Sequence, residues 1–228
     1  MKLDFTRLKT LCDILIFSCL SLNVKAQTLH QQAYWTRAFA KIKLDSNWTL
    51  QAEADERRLI LPDKQLQFIA HLHLHRKLSQ NTEGSFGATF SAVRQGLIDV
   101  KENRLFQEYF YYQKLSPKWR LSHRLRTEER WFENVEKGAI IDGFNFKFRW
   151  RYRPQLDFKI NKKWSLKTNA EIMYHVDKYD QFRFYVGNEY RFSSFFSMEM
   201  GYLKVNQARS SGGFTDRDNL RTTIYFNF

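Results

Sequence analysis

The chain is poor in cysteine, proline and glycine, with two, three and nine of these residues among 228. Both cysteines, Cys12 and Cys19, lie within the first 26 residues. The rest of the chain therefore has no disulfide framework, no thiolate metal site and no cysteine nucleophile. It also lacks an apolar run near the ~20 residues that a membrane-spanning helix needs. A membrane location would require a β-barrel.

The N-terminal segment has the three parts of a secretory signal peptide. Lys2, Arg7 and Lys9 form a positive start, an apolar stretch follows, and Ala26 ends a small-residue cleavage site. We therefore predict a signal peptide over residues 1–26, cleaved after Ala26. Residues 27–228, with no linker of biased composition, are predicted to form a single domain.

The charge is strongly basic. The formal net charge is +13, and it falls to +11 without residues 1–26, because four bases and two acids leave with them. A basic excess suggests nucleic acid, anionic lipid or an anionic solute as partner. Because an exported protein meets little nucleic acid, we expect outer-membrane lipids and a small anionic solute as partners, and no nucleic acid.

Apolar and polar residues alternate through most of the chain, as in GFNFKFRWRYRPQLDFKI at 143–160. Basic residues between aromatic ones are typical of a surface that binds nucleic acid. They are equally typical of a β-strand that has one face in an apolar environment and the other in a polar one. Each alternating segment has about the ~10 residues of a tilted membrane strand or slightly more. There are eleven such segments: 33–44, 48–58, 66–78, 83–94, 104–115, 119–132, 143–160, 164–175, 181–192, 196–207 and 219–228.

We predict an all-β fold, a transmembrane antiparallel up-and-down β-barrel of 10–12 strands after the signal peptide. A soluble β-sandwich would show the same alternation. An odd strand number is unusual for a single-chain bacterial barrel. Either a further strand near residues 27–33 brings the barrel to twelve strands, or segment 33–44 does not join the barrel wall and the barrel has ten strands.

The connections suggest which end of the barrel faces which side. Short ones, at 45–47, 79–82, 116–118, 161–163 and 193–194, alternate with longer ones at 59–65, 95–103, 133–142, 176–180 and 208–218. Short periplasmic turns and longer external loops are typical of outer-membrane barrels. Trp48, Trp119 and Trp164 each follow a short turn, which predicts an aromatic girdle at one membrane interface.

Two stretches resemble known outer-membrane proteins. The final strand, with Arg221, Ile224, Phe226 and Phe228, resembles the C-terminal signal that the barrel-assembly machinery reads, although Thr223 stands where glycine is frequent. The spacing of leucine, tryptophan and glutamate in residues 44–53, repeated around 115–128, resembles the sequences of the family catalogued as domain of unknown function 2490 (DUF2490). That resemblance implies an outer-membrane location and a barrel fold. It supplies no activity and no functional residues.

The polar faces of the predicted strands carry many charges, which must pair across the lumen or line water. The predicted cationic lining is Arg120, Arg124, Arg126, Lys147, Arg149, Arg151 and Arg153. The predicted acidic partners are Glu53, Glu108, Glu128, Glu171, Glu189 and Glu199. The surplus of arginine predicts a lumen that binds or passes small anions, with Arg124, Arg126, Arg149 and Arg151 along the path.

Two other functions remain open at this point. One is a structural barrel with a closed, ion-paired lumen, whose loops bind a surface partner. The other is a lipid-modifying enzyme, but Ser122 and His123 point to opposite faces of one strand and cannot act together. Glu53 and Asp55 have basic neighbours that offer ion pairs. We therefore expect a protein that is not an enzyme and has no cofactor.

His71, His73 and His75 lie on one face of a predicted strand. Alternate strand residues are ~6.5–7 Å apart, so two imidazoles could share a metal if a third ligand came from a neighbouring strand. The alternative is a hydrogen-bonded polar interior, which we favour. These histidines are weak metal candidates only.

Overall fold

The computed structural model describes residues 28–228, so the predicted signal peptide and its cleavage site lie outside the described residues. Eleven β-strands account for nearly all of this range. Among residues 28–228, no helix is long and apolar enough to cross a membrane. The strands are β1 Thr28–Lys43, β2 Trp48–Leu59, β3 Lys64–Lys77, β4 Thr82–Gln95, β5 Ile98–Lys114, β6 Trp119–Glu136, β7 Ala139–Lys159, β8 Trp164–His175, β9 Tyr179–Arg191, β10 Phe196–Ala208 and β11 Phe214–Asn227.

The eleven strands form a closed barrel, which confirms the predicted fold class. Consecutive strands pair antiparallel, and β1 closes the wall by pairing parallel with β11 over Thr28 to Lys41. Both expectations of an even strand number are therefore wrong for the described residues, because segment 33–44 does join the wall and residues 28–32 extend the same strand instead of forming another. Closure pairs both edge strands, which would otherwise expose a row of unsatisfied backbone groups.

The parallel closure has a topological consequence. Thr28 lies beside Phe214, whereas Lys41 lies beside Asn227. The first described residues therefore sit at the opposite end of the barrel from the end of β11.

At one end, which we call the turn end, all five connections have four residues: 44–47, 78–81, 115–118, 160–163 and 192–195. Each begins with an apolar residue whose N–H bonds the carbonyl of the residue four positions on, as Leu44 does with Trp48 at 3.0 Å. A serine, aspartate or asparagine comes second; its side-chain oxygen caps two N–H groups in four of these turns and one in the turn 78–81. For example, Asp45 Oδ1 accepts from Asn47 at 2.6 Å and from Trp48 at 2.8 Å, which holds the pKa of the Asp45 carboxyl below its usual value.

At the opposite end, which we call the loop end, the connections are also short: 60–63, 96–97, 137–138, 176–178 and 209–213. The prediction of longer external loops is therefore wrong. The strands run on through the polar stretches assigned to loops, so that β5, β6 and β7 have 17, 18 and 21 residues. Residues 139–147 are exposed on both faces, as expected for a hairpin that projects beyond the wall.

The outer wall is apolar. Phe86 is 57% exposed, Leu105 49%, Leu125 52% and Trp150 54%, and they belong to a belt of large hydrophobic side chains around the barrel. An apolar surface of this extent is typical of a wall that faces lipid. The fold is that of a transmembrane β-barrel.

The predicted tryptophan positions lie together at the turn end. Trp119 is 40% exposed and Trp164 41% exposed. Each contacts an aromatic ring of the next strand, at 4.4 Å between the ring centroids of Trp119 and Phe158 and at 4.6 Å between those of Trp164 and Tyr190. Amphipathic rings at one level suit a membrane interface.

Candidate functional site

The inner face of the barrel is charged and buried. Glu102 and Glu128 are fully shielded from solvent, and Arg126 is only 4% exposed. Buried ions are costly unless each is paired in good geometry. The lumen therefore contains a network of ion pairs, which its carboxylates organise.

Glu128 is the centre of this network. Its carboxylate accepts from Arg151 Nη1 at 2.7 Å and from Arg149 Nε at 2.7 Å, and it forms a salt bridge with Arg126, whose Nε lies 2.8 Å away. Arg149 continues to Asp180 through Nη1 at 2.8 Å. Three of the four arginines predicted along the solute path are thus held on one carboxylate, and their charge is largely compensated.

Glu108 and Glu171 extend the network toward the turn end. Glu108 Oε1 accepts from Arg124 at 3.2 Å and from Arg126 at 3.3 Å. Glu171 Oε1 accepts from Arg124 Nη2 and, at 2.8 Å, from Arg151 Nη2. Arg124, the fourth predicted path residue, therefore bridges two carboxylates.

Other carboxylates hold further inward bases. Glu199 accepts from Lys167 at 2.8 Å and Arg221 at 2.7 Å, and Glu189 lies 2.6 Å from Lys167. Arg37 of β1 pairs with both Glu53 and Asp55 of the neighbouring strand β2. The structure thus brings every predicted acidic partner into an ion pair of the inner wall.

Two residues of the predicted cationic lining lie apart from this network. Lys147 is exposed, beyond the enclosed lumen, with its Nζ 5.4 Å from the ring of Phe132. Arg120 is at the turn end with a side chain 59% exposed, and it bonds Asp157 at 3.0 Å. The assignment of Lys147 to the lumen lining is wrong, because β7 is longer than the wall and its first residues project past the rim.

Arg153 lies in the wall but is not compensated in the same way. Among residues 28–228 it makes no hydrogen bond and no salt bridge within 4 Å, and its buried Nε has no partner. The adjacent Pro154 has no N–H to donate, and the β7–β8 pairing is interrupted at residues 153 and 154. Glu171, on the neighbouring strand, is already occupied by other arginines.

Two cavities of the lumen are lined by residues of the described range. The loop-end cavity, of about 260 Å³, is lined by thirteen arginines against three carboxylates. The turn-end cavity, of about 270 Å³, is lined by His73, His75, Lys41 and Lys167 among others. Both are lined by the same six residues, which we call the shared layer: Arg37, Glu53, Arg124, Arg153, Asn169 and Arg221.

One side of the wall is tightly packed rather than charged. Tyr185 lies flat over Gly187 and Gly201, where a Cβ at position 187 would come within 1.9 Å of its hydroxyl. Tyr185, Trp35, Leu203 and Val205 form a buried apolar cluster, and Arg221 stacks on Tyr185 at 3.4 Å from the ring centroid. Glycine at 187 and 201 leaves the space that this ring needs.

The three histidines point into the lumen. His73 lies between Glu108 at 3.5 Å and Glu53 at 3.6 Å, and His75 bonds Glu83 at 2.7 Å. Ligand atoms of His73, His75 and Glu108 lie within 4.8 Å of one another, a separation that could suit a metal. Two guanidiniums already compensate Glu108, however, and would repel a divalent cation. We therefore retain the interpretation of a polar interior, in which His71 and His75 are hydrogen-bonded, whereas the ring nitrogens of His73 have no hydrogen-bond partner among residues 28–228.

The enzyme candidates do not come together. Ser122 Oγ lies 3.5 Å from the carbonyl oxygen of Gln155, whereas His123 Nδ1 lies 2.8 Å from the hydroxyl of Tyr152. The two side chains face opposite sides of β6. Ser122 lines the turn-end cavity, and His123 does not.

Sequence reasoning missed several members of the network. Glu102, which accepts from Arg104 and Arg130, lies in a segment assigned to a loop, and so does Asp180. Trp35 and Arg37 lie in β1, whose place in the wall was in doubt. The alternation continues through Glu102, Trp35 and Arg37 and was the signal that could have found them. Asp180 lies at a register shift between β8 and β9, which periodicity does not reveal.

Comparisons with known proteins agree with this architecture. No curated protein sequence matches the chain significantly. Among solved structures, the NanC porin aligns with 75% of this chain and 84% of its own, at a TM-score of 0.50 and 9% identity. The CymD monoaromatic hydrocarbon channel aligns with 73% of this chain and 66% of its own, at a TM-score of 0.42 and 9% identity. At such identity the likeness to the porin shows the fold alone.

A family model matches most of the sequence. Residues 32–216 match the family described as protein of unknown function, DUF2490. The match runs from β1 into β11 and thus includes part or all of every strand of the barrel. The resemblance noted in the sequence is confirmed, and the chain belongs to the DUF2490 family.

Proposed function

We propose that this protein is an outer-membrane barrel, not an enzyme, whose narrow cationic lumen binds small anions and lets them pass. The lipid-facing wall and the closed barrel support a membrane location, and the predicted signal peptide supports export. The four-residue turns face the periplasm in this proposal, as short turns do in other outer-membrane barrels.

The position and the unpaired charge of Arg153 are the main observation in support of the proposal. It lies in the shared layer, so any solute that travels from one cavity to the other passes it. Its guanidinium has no salt bridge within the described part of the chain, and its Nε has no partner. An unpaired cation at a constriction attracts anions and repels cations, as rings of basic side chains do in anion-selective pores.

The ion-pair network supports a second candidate, a structural barrel with a closed lumen. Arg149, Arg151 and Arg126 are fixed on Glu128 and do not offer free charge to a solute. If the shared layer stays closed, the barrel does not conduct, and its loop end would serve to bind a surface partner. Conduction separates the two candidates.

The test uses the full chain refolded into liposomes that enclose a chloride-quenched dye. The proposal predicts that chloride added outside quenches the dye faster than in protein-free liposomes, and that Arg153→Gln slows this entry several-fold. Arg209→Gln is the matched control, because Arg209 is an exposed arginine of the loop-end connection 209–213. It should leave the entry rate unchanged.

Two results would count against the proposal. Quenching no faster than in protein-free liposomes would support the closed structural barrel instead. Equal rates for Arg153→Gln and the unaltered protein would show that the shared layer does not select anions. Heat-modifiable migration in each preparation verifies that the barrel has folded before the rates are compared.

A further inference from the structure

Three arginines of the loop-end cavity lie over the ring of Trp35, and two of them, Arg57 and Arg183, are nearer to it than Arg37, which is 5.4 Å from the ring centroid. Trp35 points inward from β1, and its indole N–H donates to Asp55 Oδ2 at 3.0 Å, which fixes the ring. The guanidinium carbon of Arg57 lies 3.7 Å from the ring centroid, and that of Arg183 lies 5.1 Å away. Cation–π contacts therefore hold the two planar cations at one place on the cavity wall.

Both arginines are poorly compensated. The salt bridge of Arg57 is 3.4 Å long and goes to Asp55, which already serves Arg37 and Trp35. The salt bridge of Arg183 is 3.5 Å long and goes to Glu171. Arg57 Nη1 donates to Gln67 at 2.8 Å, but the buried Nε atoms of Arg57 and Arg183 have no hydrogen-bond partner within residues 28–228. Two like charges with unsatisfied donors are costly to bury, and an anion between them would remove that cost.

We propose that Arg57 and Arg183, stacked on Trp35, form an oxyanion-binding site for the carboxylate or phosphate group of a small solute. The inference rests on the proposed function, since it identifies where in the anion-passing lumen the solute binds. A guanidinium presents its N–H donors in a planar fork that matches the two oxygens of a carboxylate or phosphate, so that two parallel hydrogen bonds form. A spherical halide has no pair of acceptor atoms that fits this fork. The site therefore prefers oxyanions to chloride.

The size of the cavity limits the solute. The loop-end cavity has about 260 Å³, just below the ~300–1,000 Å³ usual for ligand pockets. Gln67 also lines it, but its amide already accepts from Arg57 Nη1 at 2.8 Å and donates to Ser91 at 3.1 Å. Gln181 lines it too and can bond neutral oxygens of the same solute. The site thus suits a compact anion and excludes oligomeric ones.

Binding is measured by titration calorimetry on the full chain folded in detergent, with inorganic phosphate and sodium benzoate as probes in separate titrations. The decisive variant is the double substitution Arg57→Lys and Arg183→Lys, which keeps both charges but removes the fork. We expect it to weaken the binding of the preferred probe by about tenfold or more, the effect of losing about one charge-assisted hydrogen bond. Arg209→Lys, outside the cavity, is the control and should bind as the unaltered protein does.

The outcomes separate this inference from the proposed function. Equal affinity in the double variant and the unaltered protein, or no binding of either probe by the unaltered protein, overturns the inference. Binding without chloride entry into liposomes overturns the channel and leaves the site in place. Stronger binding of benzoate indicates a carboxylate solute, and stronger binding of phosphate indicates a phosphate one. If the double variant fails to fold, the affinity of the single variant Arg183→Lys is compared with that of the unaltered protein instead, and equal affinity overturns the inference.

Discussion

Arg124 of β6 lies directly opposite Arg153 of β7, and both point into the lumen. The next inward pair toward the loop end, Arg126 and Arg151, is also composed of two arginines. Like charges at directly opposed positions of a sheet destabilise it. Glu108, Glu128 and Glu171 compensate three of these four guanidiniums, and Arg153 is the one that has no salt bridge to any residue of the described range 28–228.

Arg153→Gln should therefore make the barrel slightly more stable while it reduces anion selectivity. Removal of the uncompensated charge relieves its repulsion with Arg124, a gain of order 0.2–1 kcal/mol for a cross-strand pair. Urea unfolding in lipid vesicles measures the change, and the matched Arg209→Gln should show none. A clear loss of stability in Arg153→Gln would indicate that this guanidinium has a structural partner after all.

Glu128→Gln should have the opposite effect. The substitution leaves Arg126, Arg149 and Arg151 around a neutral amide in a fully buried place. Removing one partner from a buried ion cluster costs about 3–5 kcal/mol. The unfolding midpoint in urea should fall strongly, whereas Glu136→Gln, at the exposed end of β6, should leave it unchanged. Equal midpoints for the two variants would contradict the central role of Glu128.

The parallel closure can be tested with introduced cysteines, because residues 28–228 contain none. Thr36 of β1 and Thr222 of β11 are register partners. Adjacent strands lie about 4.7–4.9 Å apart, within the Cα separation that a disulfide spans. Thr36→Cys with Thr222→Cys should form a disulfide under oxidation, seen as a reductant-sensitive shift in gel mobility.

The control pair is Thr36→Cys with Thr168→Cys, since β8 is not adjacent to β1. It should show no intramolecular crosslink. Absence of a crosslink in the Thr36 and Thr222 pair, with the barrel folded, would support a ten-strand wall in which β2 pairs with β11.

Gly201→Ala should hinder barrel formation. Gly201 lies opposite Gly187 across the β9–β10 ladder, and a Cβ there would come within 2.3 Å of the backbone oxygen of Val186. The backbone has to move, at a cost above the ~1–3 kcal/mol usual for overpacking a side chain. Gly84→Ala is the control, because its Cβ would meet Leu78 at an ordinary 3.5 Å. The folded fraction by heat-modifiable migration should fall for Gly201→Ala alone.

The strands could be predicted from the sequence because the alternation has a period of two over long segments. β8 was predicted at 164–175, the range it occupies, and most other boundaries fall within a few residues. The upper parts of β5, β6 and β7 were missed, because a polar hairpin beyond the membrane looks like a loop. The direction in which β1 pairs could not be read from periodicity, which is the same for parallel and antiparallel neighbours.

The charged inner face of the barrel could be predicted from the sequence, but the pairing of its side chains could not. Alternation placed Arg149 and Arg151 on the inner face, yet it could not show that Glu128 compensates both. Which cation remains without a partner depends on the register of neighbouring strands and on the break at Pro154. Arg153 therefore looked equivalent to the other basic residues of its strand.

The zero-current potential of the refolded protein in a planar bilayer tests the central claim most directly. With a tenfold gradient of potassium chloride, a net-cationic lumen should give a potential of the sign that chloride permeation sets. Arg153→Gln should move this potential toward zero, and Arg209→Gln should not. A potential of the sign set by potassium, or no current from a protein shown to be folded, would contradict the account.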